Sequence, residues 1–102
     1  MESKALKMSE AESAANAVAP RVTLAGMEAK IVHTTFYNHD LLTMCVLTME
    51  NGFYVVGESA PASRDNYDPE LGRKFSYENA IRQLWKLEGY ALRDRLFAEG
   101  KD

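Results

Sequence analysis

The segment most informative about the fold is LLTMCVLTMENGFYVVGES, residues 41–59. Two segments with apolar residues at alternate positions flank Glu50-Asn51-Gly52, and Asn-Gly is the preferred pair for a two-residue type I′ turn. The stretch therefore predicts a β-hairpin in which Met49 faces Tyr54 and Cys45 faces Glu58.

Both faces of this predicted hairpin are largely apolar. One face carries Cys45, Leu47, Met49, Tyr54 and Val56, and the other carries Met44, Val46, Phe53 and Val55. An isolated two-stranded sheet is marginal in water, and a single helix covers only one of its faces. We therefore expect oligomerisation, or some further element, to extend or cover the sheet.

A short helix is predicted before the hairpin, in VTLAGMEAKIV, residues 22–32. Thr23 has the side chain of an N-cap, and Leu24 and Met27 recur on one helical face. The polar HTTFYNHD that follows, residues 33–40, is interpreted as a loop.

A long helix is predicted after the hairpin. Asp68 is its expected N-cap, Pro69 its first residue and Gly100 its stop. An unbroken helix of this length measures roughly 45 Å, so we expect it to bend near Gly89 or to pack its end on another subunit. Its apolar stripe consists of Leu71, Phe75, Ile81, Trp85, Leu92 and Leu96, and it is widened on one side by Tyr77, Ala80, Leu84, Leu87 and Ala91. The predicted fold is α+β, in the order α-β-β-α.

The chain has the size and composition of one ordinary domain, with 102 residues of which 46% are hydrophobic and 26% are charged. Residues 1–21 are rich in Ala and Ser and poor in large apolar side chains, which predicts a flexible N-terminal tail. Within that tail AESAANAVA, residues 11–19, has the composition to form a helix on a partner. Residues 22–102 form the predicted α+β domain.

Charge and cysteine content narrow the functional classes. A net charge of −3 argues against non-specific nucleic-acid binding, which requires a surplus of Lys and Arg. Cys45 is the only cysteine, which rules out an intrachain disulfide and fits a reducing compartment. The sequence contains neither a signal peptide nor an apolar membrane span, so a cytoplasmic protein is expected.

No arrangement of residues typical of catalysis stands out. Cys45 occupies an apolar strand position and is interpreted as a core residue rather than a nucleophile. His33 and His39 lack the spacing of a zinc site, and no G-x-S-x-G motif surrounds Ser59. We therefore predict no catalytic residue, no metal and no cofactor, and we expect a protein that is not an enzyme.

Five residues are candidates for binding a ligand or partner. In GESAPASRDNYDPELGRK, residues 57–74, most polar groups are explained by a strand exit, a turn and a helix cap. The remaining candidates are polar or cationic groups that could converge between subunits, and one aromatic residue of the long helix. They are Ser59, Arg64, Arg73, Lys74 and Tyr90.

Four segments, VTLAGMEAKIV, CVLTMENGFYVVGESA, NYDPELGRKFSYENA and LWKLEGYALRDRL, occur in this order. Together they resemble a family of small accessory proteins from tailed bacteriophages and prophages, typified by phages N-four and Sf-six. The resemblance covers Val22 to Glu99. Pro61 stands where a cysteine often follows G-E-S-A in that family, which argues against a thiol role at that loop.

The resemblance implies a phage origin and the cytoplasm of an infected host, but no reaction. We expect a homo-oligomer that binds and modulates a host or defence protein. One alternative is an oligomeric sponge for a small anionic ligand such as a signalling nucleotide. Another is a minor virion assembly protein.

Overall fold

The computed structural model describes residues 3–8 and 20–101 of the chain. In these two ranges three helices, three strands and a 3-10 turn follow one another. They are α1 (residues 4–8), α2 (Leu24–Ala29), β1 (Ile31–His39), β2 (Leu42–Met49), β3 (Tyr54–Ser59), the 3-10 turn (Arg64–Asn66) and α3 (Pro69–Ala98). The α+β prediction is confirmed, whereas the helix considered for residues 11–19 lies outside the described residues.

The sheet has three antiparallel strands in the order β1-β2-β3, so the interpretation of residues 33–40 as a loop was wrong. β1 joins β2 through the turn at Asp40 and Leu41, and Phe36 lies opposite Cys45. Only Ile31 and Phe36 of β1 are half-buried, because α3 packs on β2 and β3 and leaves this edge strand largely uncovered. β1 therefore lacks the alternating apolar pattern by which a strand is recognised.

The hairpin of β2 and β3 forms as predicted, but its register differs by one residue. Cys45 pairs with Gly57 and Thr48 with Tyr54, whereas the sequence predicted that Cys45 faces Glu58 and Met49 faces Tyr54. The loop has three residues, Glu50 to Gly52, and the backbone N–H of Met49 donates to the carbonyl of Phe53 at 2.8 Å. Gly52 has a φ of 88°, as expected for the left-handed residue that ends a three-residue hairpin loop.

This shift exchanges the two faces of β3, because neighbouring residues of a strand point to opposite sides. Val55 lies in the core, whereas Tyr54 and Val56 point outward. The inner face of the sheet packs against the helices. The buried apolar side chains are Leu6, Leu24, Met27, Cys45, Leu47, Met49, Val55, Tyr77, Ala80, Ile81 and Leu84.

The long helix begins and ends as predicted. The Asp68 carboxylate accepts hydrogen bonds from the backbone N–H groups of Glu70 and Leu71 at 2.9 and 3.4 Å. At the other end Gly100 has a φ of 70°, and Lys101 N–H donates to the Leu96 carbonyl in a Schellman motif. Packing of the helix end on another subunit stays a prediction.

The apolar stripe of α3 was predicted only in part. Ile81 is buried and Trp85 packs against the core, but Leu71 and Phe75 are 44% and 43% exposed. They lie in the first two turns, and each comes one residue before a position that packs on the sheet, namely Gly72 against Thr43 and Ser76 against Gly57. The N-terminal segment also packs on α3, since Leu6 joins the core and the Ser3 hydroxyl donates to the Glu78 carboxylate. The division into a tail and a domain at residue 21 stays a prediction.

Candidate functional site

A groove of about 240 Å³ opens between the β2–β3 loop and the middle of α3. Among the described residues that line it, apolar side chains form the interior and polar side chains form the rim. The lining residues are Lys30, Met49, Glu50, Asn51, Phe53, Leu84, Leu87, Glu88 and Ala91. We refer to this set as the groove.

The groove arises because α3 is far longer than the strands on which it packs. Leu84, Leu87 and Ala91 follow one another at helical spacing, but only Leu84 is fully covered by the sheet. Leu87 is 46% exposed, and Phe53, directly after the three-residue loop, is 56% exposed. Two large apolar side chains on different elements therefore flank an open apolar floor.

The charges of the groove lie at its rim. Lys30 Nζ is 2.8 Å from Glu88 Oε2, so this cation and this carboxylate neutralise each other. The backbone N–H of Glu50 donates to the Lys30 carbonyl at 2.8 Å, which fixes the loop against α2. The Glu50 side chain makes no ion pair with the residues described, and Glu50 is an exposed residue of the groove lining.

A second cavity, of about 180 Å³, lies between the end of β3 and the start of α3. Ser59 lines this cavity, together with Tyr67, Leu71 and Phe75. The exposed apolar residues of the first turns of α3 thus form part of its wall. Asn38 Nδ2 donates to the Tyr67 hydroxyl at 3.0 Å and holds this wall in place. Among the described residues that line the cavity there is no Lys or Arg, so it is poorly suited to an anion.

Arg64 is engaged in a structural contact. Its guanidinium donates to both carboxylate oxygens of Asp40, at 3.0 and 2.9 Å, and so joins the 3-10 turn to the β1–β2 turn. This hydrogen-bonded pair lowers the pKa of Asp40 and raises that of Arg64. The predicted binding residue Arg64 is thus already paired within the chain.

The other candidates lie apart from one another. Arg73 and Lys74 are half-buried near the start of α3 and line neither of the two cavities above. Tyr90 is 76% exposed and stands on the same helix roughly 24 Å further along its axis. Within one chain the five predicted residues therefore do not form a single site, and their convergence between subunits stays a prediction.

Buried groups with nucleophilic atoms are held in their protonated forms. Burial raises the pKa of Cys45 to about 11, and this side chain has no exposed surface. Burial, and then the hydrogen bond that the Tyr77 hydroxyl donates to the Glu28 carboxylate, raise the pKa of Tyr77. Both are neutral near pH 7 and act as packing groups.

The described residues contain neither a metal-binding cluster nor a membrane-spanning helix. No group of three or more His, Cys, Asp or Glu side chains in residues 3–8 and 20–101 is arranged to hold a metal ion. Within the same ranges no helix combines the length and the hydropathy needed to cross a membrane.

The fold and the groove define a class of small α+β protein in which helices cover one face of a three-stranded sheet and apolar side chains remain exposed elsewhere. The chain belongs to the phage protein (N4 Gp49/phage Sf6 gene 66) family, whose model matches residues 11–96. This confirms the resemblance noted from the sequence. Among curated proteins and among solved structures, no match to the chain was found.

Sequence reasoning did not identify the groove. The available signal was the apolar spacing of Leu84, Leu87 and Ala91, which continues along α3 beyond the length that strands of six and eight residues can cover. Phe53 gave a second signal, because it places a large apolar side chain directly after a turn. The correct hairpin register was needed to bring the two signals together.

Proposed function

We propose that this phage protein acts by binding a partner protein of the bacterial host or its defence systems, without catalysing a reaction, in the cytoplasm of the infected cell. The groove is the observation that carries the proposal. Its volume of about 240 Å³ is below the ~300–1,000 Å³ of most small-molecule sites. A single large apolar side chain from a partner suits this space better than a whole ligand.

The rim indicates the chemistry of that partner. Lys30 is neutralised by Glu88, so the carboxylate of Glu50 is the charge left to be matched. A segment that inserts a Leu, Met or aromatic side chain and carries a Lys or Arg beside it is complementary to the groove. The net charge of −3 favours the approach of the same kind of basic segment.

The two alternatives have less support. An oligomeric nucleotide sponge would need cations that converge on a phosphate, whereas Arg64 is paired with Asp40 and the described lining of the second cavity lacks cations. A third cavity, of about 140 Å³, is lined by Arg21, Lys30 and Arg95, but it also contains Glu88, whose carboxylate pairs with Lys30, and its volume is small for a nucleotide. No feature of the described residues specifically supports a role in virion assembly. Mass spectrometry of purified virions tests it directly.

Site-specific photo-crosslinking in infected cells tests the partner. A photoreactive phenylalanine analogue replaces Phe53 in the groove, and in the control it replaces Gln83, which is exposed on α3 outside the groove. We expect a crosslinked host protein at position 53 that is missing at position 83. Equal products at both positions, or none at 53, would count against the groove.

The crosslinked protein, once purified, allows the contact to be measured. Leu87→Asp places a carboxylate in the groove, and we expect affinity to fall by ten- to thirty-fold, about 1.4–2 kcal/mol, as for a central interface side chain. Phe97→Asp is the matched control, since Phe97 is an exposed apolar residue of the same helix outside the groove. If Phe97→Asp is as damaging as Leu87→Asp, binding involves a different part of α3.

A further inference from the structure

The outer face of the sheet has the composition of a buried surface. Helices cover the inner face, and an antiparallel sheet with one face in water normally carries polar side chains on that face. Here the central strand β2 points Leu42, Met44, Val46 and Thr48 outward. Three of these four side chains are large and apolar.

The flanking strands extend this apolar surface. Tyr37 of β1 is 55% exposed, and Tyr54 and Val56 of β3 are 64% and 39% exposed. The strand pairings place the outward residues in rows, with Thr35, Val46 and Val56 in the middle row. The whole outward set is His33, Thr35, Tyr37, His39, Leu42, Met44, Val46, Thr48, Tyr54, Val56 and Glu58.

The charge of this outer face is unlike that of the rest of the surface. The outward set contains no Lys or Arg and a single carboxylate, Glu58, whereas the exposed side of α3 carries charges of both signs. A strongly charged partner would therefore find at most one complementary group, the carboxylate of Glu58. A copy of the same face is equally apolar and brings little repulsion.

We propose that the outer face packs against the outer face of a second copy in a two-fold symmetric dimer. A two-fold axis through the centre of the patch brings Val46 of one copy against the same residue of the other. Glu58 of one copy then lies opposite a tyrosine of the other. This tyrosine is Tyr37 if the two-fold axis runs parallel to the strands in the plane of the interface, and Tyr54 if the axis runs perpendicular to the strands in that plane. In either arrangement a phenol O–H can donate to the carboxylate, so the one charge in the interface is matched.

The size of the patch is sufficient for a dimer of moderate affinity. Three strands spaced about 4.8 Å apart and about 20 Å long give a flat area on the order of 300 Å². Two copies together cover roughly 600 Å² of flat area. The relief of the side chains raises the accessible area that is buried toward the ~1,200 Å² at the lower end of specific interfaces. We therefore expect a reversible dimer with a dissociation constant in the micromolar range.

Sedimentation equilibrium of the full chain over a range of concentrations tests the dimer. The wild type is expected to move from monomer to dimer as concentration rises, and Val46→Asp to remain a monomer. Gln83→Asp adds the same charge on exposed α3 and should dimerise normally. Tyr54→Glu, at a side chain that is already 64% exposed, is expected to fold and to weaken dimerisation at least tenfold even if Val46→Asp is unstable.

Thiol crosslinking locates the interface. The native Cys45 is fully buried, so Val46→Cys and Gln83→Cys each provide a single thiol outside the core, at a half-buried position of the outer face and at an exposed position of α3. A short bismaleimide should join two copies through position 46 and leave the position-83 variant uncrosslinked. A wild type that stays monomeric at every concentration, or a dimer that persists in Val46→Asp and Tyr54→Glu, overturns the proposal. The second outcome would assign the contact to another surface, such as the open edge of β1.

Discussion

At the level of single residues, α3 packs closely on the sheet because one position of β3 is a glycine, which has no side chain. Gly57 of β3 lies against α3, and a Cβ atom placed there would be 2.1 Å from the Ser76 carbonyl oxygen and 2.2 Å from the Ala80 nitrogen. Both contacts are with helix backbone, which cannot turn aside as a side chain can. Gly57 therefore sets the closest approach between the two layers.

Gly57→Ala is expected to lower the free energy of unfolding by about 3 kcal/mol, because the helix must move away from the sheet. Urea denaturation followed by circular dichroism measures the change. Gly89→Ala is the control, since Gly89 is helical and a Cβ there meets nothing within 4 Å. That variant should gain about 0.5–1 kcal/mol from helix propensity. A Gly57→Ala protein as stable as the wild type would contradict this packing.

The Asp40–Arg64 pair predicts a dependence of stability on pH. Arg64 lowers the pKa of Asp40 below its ordinary value of 3.8 in the folded chain. The pair's contribution is therefore complete above the unfolded pKa and is lost as the pH falls through the folded pKa. Carboxyl NMR titration should place the Asp40 midpoint below 3.8 in the wild type and closer to 3.8 in Arg64→Gln. An identical midpoint in both proteins would show that the pair does not persist in solution.

At the scale of elements, α3 is the part of the fold that the sequence describes best. Its start is encoded locally by Asp68 and Pro69, and its end by Gly100. Asp68→Ala removes the acceptor for two backbone N–H groups and should cost about 1 kcal/mol in denaturant unfolding. Asp68→Ser keeps an acceptor and should retain most of that stability. An equal loss of stability in both variants would mean that the effect comes from another contact of Asp68, such as one with a neighbouring residue of the second cavity.

The elements that the sequence predicted less well depend on non-local contacts. Asn51-Gly52 suits a two-residue turn, but a three-residue loop ending in a left-handed glycine uses the same residues. The choice between them is made by Gly57, which must face the helix for α3 to pack. β1 was missed for a related reason, since it is an edge strand outside the main contact of α3 and needs only Ile31 and Phe36 as apolar support.

At the scale of the whole molecule, the fold class follows from patterns within each segment, but the groove does not. The groove joins residues around Phe53 to residues around Leu87, more than thirty positions away in the chain. Its existence depends on the hairpin register and on the extension of α3 past the sheet. By contrast, the apolar residues of both hairpin faces already indicated that one helical layer would leave part of the sheet uncovered.

The groove lies beside α3 on the inner side of the sheet, whereas the proposed dimer forms through the outer side. A dimer would therefore present two grooves, and two-site attachment to a dense layer of immobilised partner should slow dissociation by about a hundredfold. Surface binding at two partner densities measures this effect. Val46→Asp should match the wild type at low density and dissociate faster at high density. Leu87→Asp should lose binding at both. Equal dissociation of the wild type and Val46→Asp at high density would mean that the two grooves do not act together, because only simultaneous attachment makes the rate depend on density.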